Sequence, residues 1–142
     1  MIKEDYVSFE TAKLLKERGF NEKCRGCYRS EFDDCDNAVV VLEEWMAQSY
    51  NNDFKDEGFL CSAPTLQMAM KWLREKRSLE IYPYHNSSII YNSKWWYEII
   101  KYPNSVAEYE CGKDEEVETY EQACEMAILY CLNNLLSKTN SN

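Results

Sequence analysis

The amino-acid sequence predicts an α+β fold, with helices packed on one face of a small antiparallel β-meander. Three observations lead there. Apolar residues recur at helical spacing in capped segments near the start, middle and end of the chain. Between the middle and final segments, apolar and polar residues alternate in short runs separated by turn residues. Consecutive strands joined by turns pair antiparallel.

The first helix is expected over 8–18. Ser8 can accept from free N–H groups at its start. Phe9, Ala12 and Leu15 form one apolar stripe, widened by Leu14. Gly19 suits the left-handed position after the last turn, and Phe20 then pairs with Leu15 in a Schellman ending. A short strand is expected around Cys27-Tyr28-Arg29, followed by a turn over Asp33–Asn37. Ala38, Leu42, Trp45, Met46 and Ser49 share a helical face, so a second helix is expected over 38–49, although Val39-Val40-Val41 favours a strand. Residues 50–58 are polar and read as a loop.

Ser62-Ala63-Pro64-Thr65 supplies a cap and a proline for a helix over 63–77. Its stripe is Leu66, Ala69, Met70 and Leu73, at i, i+3, i+4, i+7. Lys71, Arg74, Lys76 and Arg77 complement the dipole at its end. Ser78 to Tyr84 alternates as a half-buried strand, with Leu79 and Ile81 on one face; Pro83 places it at an edge. A second strand lies within Ile89 to Tyr102, with Trp95, Tyr97 and Ile99 facing opposite to Trp96, Glu98 and Ile100. Ser105 to Cys111 adds a short third strand. Thr119 and Gln122 fit a capping box for a last helix over 120–137. Its apolar face holds Tyr120, Ala123, Cys124, Ala127, Ile128, Cys131 and Leu135.

The 142 residues suffice for one domain, expected over 1–138, with 139–142 as a disordered tail. With 45% hydrophobic and 29% charged residues the composition is globular. The formal charge of −9 argues against a direct nucleic-acid binder, which needs clustered cations. The single His excludes multi-His metal sites and nearly rules out His-based triads, for which His85 is the one available base. No apolar run approaches the length of a membrane span, and the start MIKEDYVSFE lacks the apolar core of a signal peptide. A cytoplasmic, reducing setting is therefore expected, with the seven cysteines as free thiols. In that setting the acceptor pattern Asn86-Ser87-Ser88 is incidental.

Three blocks carry a resemblance. Tyr6 to Phe20 (YVSFETAKLLKERGF), Ala63 to Glu75 (APTLQMAMKWLRE) and Thr119 to Ala123 (TYEQA) resemble blocks of a family of small uncharacterised proteins encoded by gut Bacteroidetes, their phages and mobile elements. The blocks cover about a quarter of the chain and keep the family's order and similar separations. The resemblance implies origin and fold, with no established activity attached. Residues 24–60 depart most from the family pattern. In physical terms the blocks are a helix with its stop, a capped amphipathic helix and a capping box.

Candidate chemistry is thin. Cys24-Arg25-Gly26-Cys27 is a CxxC, and Cys35 and Cys61 could complete a four-thiolate zinc site. These last two stand 26 apart and form no second knuckle. Arg25 would favour a reactive thiolate, but no strand–CxxC–helix pattern surrounds it. Asp33, Asp34 and Asp36 suggest a calcium loop, yet the positions needing Gly and Glu are Val39 and Trp45. His85 lies in an expected turn without an evident orienting partner. Glu43-Glu44 and Glu115-Glu116 are adjacent acids, which do not span a cleft.

The sheet is the informative region. In a strand only alternate residues point inward, so Trp95 and Trp96 cannot be buried by one layer. Tyr82, Tyr84, Trp96 and Tyr102 are therefore expected to form an interaction surface of aromatic anchors. The sequence points to a non-enzymatic interaction or accessory module without a cofactor, whose partner is a protein, including a second copy as a homodimer. Two alternatives stay open. One is an acidic nucleic-acid mimic that inhibits a host DNA-binding enzyme, for which segments 31–57 (nine acids, one Lys) and 108–125 (eight acids, one Lys) supply the charge. The other is a small zinc-binding domain built on Cys24 and Cys27.

Overall fold

The first helix, α1 (Phe9–Glu17), begins and ends as its sequence dictates. The Thr11 N–H donates to Ser8 Oγ at 3.2 Å. At the other end Phe20 N–H donates to Leu15 O (2.9 Å) and Gly19 N–H to Lys16 O (3.1 Å), the paired bonds of a Schellman motif. Gly19 takes φ 94°, where a Cβ would be strained. The computed structural model describes residues 1–29, 39–41, 50–53, 59–87, 94–104, 106–110 and 116–137. It is an α+β chain, and among the described residues three α-helices accompany two antiparallel sheets of three strands each. Its contacts divide it into two units, one holding residues up to Gln67 and the chain end from Leu136, the other Met68–Leu135.

In the first unit β1 (Gly26–Arg29) is the central strand, between β2 (Val39–Val41) and β3 (Phe59–Ser62). Val39–Val41 is thus a strand and not the start of a helix over 38–49. Three β-branched residues opposite Gly26–Tyr28 follow their intrinsic preference for extended backbone. Residues 42–49 lie outside the described residues. Within the expected 50–58 loop, Asn51–Asp53 makes one 3₁₀ turn, and 54–58 are outside the description. The buried Asn51 amide ties this turn in: its Nδ2 donates to Phe20 O and its Oδ1 accepts from Ser62 N–H, both at 2.7 Å. Helix α1 packs on β3, and Leu15, Phe20, Cys27, Tyr28 and Cys61 are buried in this unit's core. Residues 5–7 run alongside 64–66: Val7 N–H donates to Pro64 O, Leu66 N–H to Asp5 O, and Tyr6 bridges Thr65. The Tyr28 hydroxyl, donating to Val7 O at 2.6 Å, fastens that segment to β1.

Helix α2 (Leu66–Arg77) starts later than the expected 63. Ser62 ends β3 and so does not cap the helix, and Pro64, whose carbonyl accepts from Val7 N–H, precedes the helix instead of standing in its first turn. The predicted stripe Leu66, Ala69, Met70 and Leu73 is buried throughout. Its basic end is used locally: Arg74 pairs with Glu80, and the Arg77 guanidinium lies 5.3 Å from the Trp72 ring centroid.

The second sheet is the expected meander, in the order β4 (Leu79–His85), β5 (Trp95–Lys101), β6 (Val106–Glu110). β4, which carries Pro83, is an edge strand. Helix α3 (Tyr120–Tyr130) packs against β4 and β5. The Gln122 N–H donates to Thr119 Oγ1, while the Gln122 side-chain oxygen accepts from Glu118 N–H, one residue beyond the usual capping-box donor. The helix is shorter than the expected 120–137, because Cys131–Leu135 widens into a π turn.

Ser78, between α2 and β4, takes φ 59°, and its carbonyl accepts from Tyr102 N–H. A side chain in the left-handed region costs about 1 kcal/mol, part of which glycine returns through its freer unfolded chain. Ser78→Gly should therefore raise stability by about 0.5 kcal/mol, and Ser78→Val should lower it by about 1 kcal/mol or more, read as opposite shifts of the urea midpoint.

Candidate functional site

Alternation in β4 and β5 divides the second sheet into two chemically different faces. Leu79, Ile81, Tyr97 and Ile99 are buried on the face toward α3. Ring contacts define that side: Trp95 meets Tyr120 edge-on, and Tyr109 stacks on Tyr130 with centroids 3.8 Å apart. The opposite face carries Glu80, Tyr82 and Tyr84 from β4, with Trp96, Glu98 and Ile100 from β5. Trp95 and Trp96 therefore point to different sides, as the spacing requires, and each is half-buried.

The structure gathers three of the four residues expected at an interaction surface. Tyr84 stands directly opposite Trp96 in the ladder, with ring centroids 6.2 Å apart. Tyr82 follows at 6.0 Å from Tyr84 and is 57% exposed. Tyr102 is not among them. It lies past the end of β5, in the turn over 102–104, and is 42% exposed there. Six residues of strand separate it from Trp96, roughly 20 Å.

Carboxylates interleave with these rings. Glu98 stands opposite Tyr82 on one side and opposite Glu110 of β6 on the other. The Tyr84 hydroxyl donates to Glu110 Oε1 at 2.7 Å, which holds that carboxylate beside the aromatic cluster. Arg74 pairs with Glu80 (3.7 Å) farther along the same face and Lys94 with Glu118 (3.1 Å), while among the described residues no cation pairs with Glu98 or Glu110. Two like charges directly opposite each other in a ladder destabilise it.

This opposition was not legible in the sequence. Lys101 pairs with Val106 and Ile100 with Ala107, and an unbroken ladder would then set Ile99 against Glu108. The register instead shifts between Ile99 and Ile100, leaving Glu108 as an extra residue. One extra residue exchanges faces: Tyr109 turns inward onto Tyr97 and Tyr130, and Glu110 turns outward against Glu98. The only signal was the aromatic at 109 in an otherwise acidic strand.

The thiols make a contrasting set. Cys24, Cys27, Cys61, Cys124 and Cys131 are all buried thiols, none of them joined in a disulfide. Burial pushes the Cys24 thiol up to about 12, with Glu22 adding to the effect. Burial likewise raises Cys61 and Cys124 to about 11 and Cys131 to about 12. These groups keep their protons at neutral pH, the opposite of an activated nucleophile. Gly26, inside the CxxC, is required by close packing: a Cβ there would stand 2.6 Å from Ala63 O. Among the described residues no group of three or more His, Cys, Asp or Glu is placed to hold a metal ion. Cys35, Cys111, Glu43-Glu44, Glu115 and the Asp33–Asp36 run lie outside the described residues. His85 ends β4, exposed, with its ring edge-on to Trp95.

No helix among the described residues is long and apolar enough to cross a membrane. No protein-family model, curated protein or solved structure matches the chain.

Proposed function

We propose that this protein is a cytoplasmic interaction module that docks a partner protein on the outer face of β4–β5–β6. One observation carries the reading: Tyr82, more than half exposed, extends a ring cluster with Tyr84 and Trp96 on the face turned away from α3. Tyrosine and tryptophan bury large area at low entropic cost, which is why they dominate the energetics of interfaces. The protonated, buried thiols support a role in packing for the cysteines and give no support to a thiol enzyme. The resemblance of three blocks to phage and mobile-element proteins supports an accessory role, and none of those blocks contributes a residue to the surface.

A photo-crosslinking amino acid placed at Tyr82 should yield one discrete protein adduct in the native host cell. The same group at Glu121, exposed on α3, should not yield it. Tyr82→Ser combined with Trp96→Ser should weaken binding of the cross-linked partner by about tenfold or more. Identical adducts from both positions, or none from position 82, would overturn the reading.

A further inference from the structure

We infer that the docked partner presents an arginine- or lysine-bearing segment, whose cation seats between Glu98 and Glu110 against the Tyr84 and Trp96 rings. The inference rests on the docking reading above and names the chemistry of its occupant. Its basis is the pair of carboxylates set opposite each other across β5 and β6, with no cation on either among the described residues. The neighbouring residues add to it. Tyr84 fixes Glu110 through a 2.7 Å hydrogen bond, and the Tyr84 and Trp96 rings supply π faces next to that carboxylate. A guanidinium or ammonium ion here gains from two carboxylates and from a ring face, and it removes the repulsion between the acids. The net charge of −9 draws such a segment in at long range.

The same charges select against a second copy of the chain. Two of these faces brought together would set Glu98 and Glu110 against their own duplicates. Like charges meeting at an interface cost several kcal/mol by the usual scale. The occupant inferred here is a basic segment of a different protein, and not this same face of a second copy.

The probe is a fluorescein-labelled peptide of alternating glycine and arginine, compared with its neutral citrulline counterpart by fluorescence polarisation. The arginine peptide should bind the intact chain, and the citrulline peptide should bind at least about tenfold more weakly. Glu98→Gln with Glu110→Gln should weaken arginine-peptide binding by at least about tenfold. Glu75→Gln with Glu116→Gln, an equal charge change at exposed sites elsewhere, should weaken it by less than about twofold. The Glu98/Glu110 variant should melt at or above the unmodified protein, because opposed charges have been removed, so lost binding would not be lost folding. A second variant, Glu110→Lys, should lose the arginine peptide and gain a glutamate peptide. Equal losses in both glutamine pairs, equal binding of the citrulline peptide, or no binding of the arginine peptide would overturn the inference. A discrete adduct from position 82 without arginine-peptide binding would leave the docking face standing and remove only its cationic occupant.

Discussion

Gly26→Ala should destabilise the first unit by about 3 kcal/mol, at the top of the range for inserting one methyl group into a packed site. The reason is the identity of the atoms a Cβ would meet. Ala63 O would lie 2.6 Å away and Tyr6 Cε1 2.9 Å away. A flexible side chain could swing aside, but the Ala63 carbonyl cannot. Its own residue is held by the Ala63 N–H donating to Gly26 O at 2.8 Å, and the adjoining Pro64 O is held by Val7 N–H. Relief therefore requires β1 to separate from the 63–66 segment, at the expense of several backbone hydrogen bonds. Gly19 offers a control with a different cause. It is needed for its positive φ, so Gly19→Asn should recover much of what Gly19→Ala loses, since asparagine tolerates the left-handed region. Gly26→Asn should recover nothing. Urea denaturation followed by circular dichroism reads both. A Gly26→Ala midpoint equal to that of the unmodified protein would show that the close approach is not limiting.

Gly26 also illustrates which parts of the fold could be read in advance. Local signals were legible. Ser8, the Gly19–Phe20 stop, the Leu66–Leu73 stripe and the Thr119–Gln122 cap each act within one or two turns of chain, and each does in the structure what its spacing implies. The meander was legible for the same reason, since its strands are consecutive. The β2–β1–β3 sheet was not. Its central strand pairs with a segment some thirty residues later (Tyr28 with Cys61), and such pairing leaves no local trace. There the helical spacing of Ala38, Leu42 and Trp45 competed with the β-branched run Val39–Val41, and the extended conformation prevailed at 39–41. Cys24 and Cys27, separated by two residues, resembled a ligand pair. The spacing reflects burial on both sides of a glycine that sits under Tyr6.

The candidate surface divides along the same line. Tyr82, Tyr84 and Trp96 could be grouped from alternation alone, because their register is set within one hairpin. Tyr102 shares their parity but lies beyond the last ladder pair, so parity no longer determines its neighbours. Glu110 could not be assigned, because its face depends on one extra residue in β6. A single bulge thus decides whether the rings sit beside a tyrosine or beside a second carboxylate, and with it the charge a partner must bring.

Raising the pH from 9 to 11 should lower the stability of the second unit steeply, through two buried thiols. Cys124 and Cys131 lie on the face of α3 and its π turn that is closed to solvent. Their folded values are about 11 and about 12, against 9.0 for a free thiol. Below pH 9 both states hold these protons, so the thiols add no pH dependence. Above pH 9 the unfolded chain releases protons that the folded chain keeps, and stability falls until the pH passes the folded values. The ceiling on the slope is about 1.4 kcal/mol per pH unit for each thiol. With the unfolded thiols half ionised at pH 9 and folded Cys124 half ionised at pH 11, the two together come to about 4 kcal/mol, close to the low end of the stability of a small domain. Cys124→Ala with Cys131→Ala should lower stability at pH 7 by about 1–2 kcal/mol through lost packing, yet flatten the fall between pH 9 and 11. The two curves should approach each other as pH rises. Curves that stay parallel would mean that the thiols ionise alike in both states, and that their burial exerts no hold on their protons.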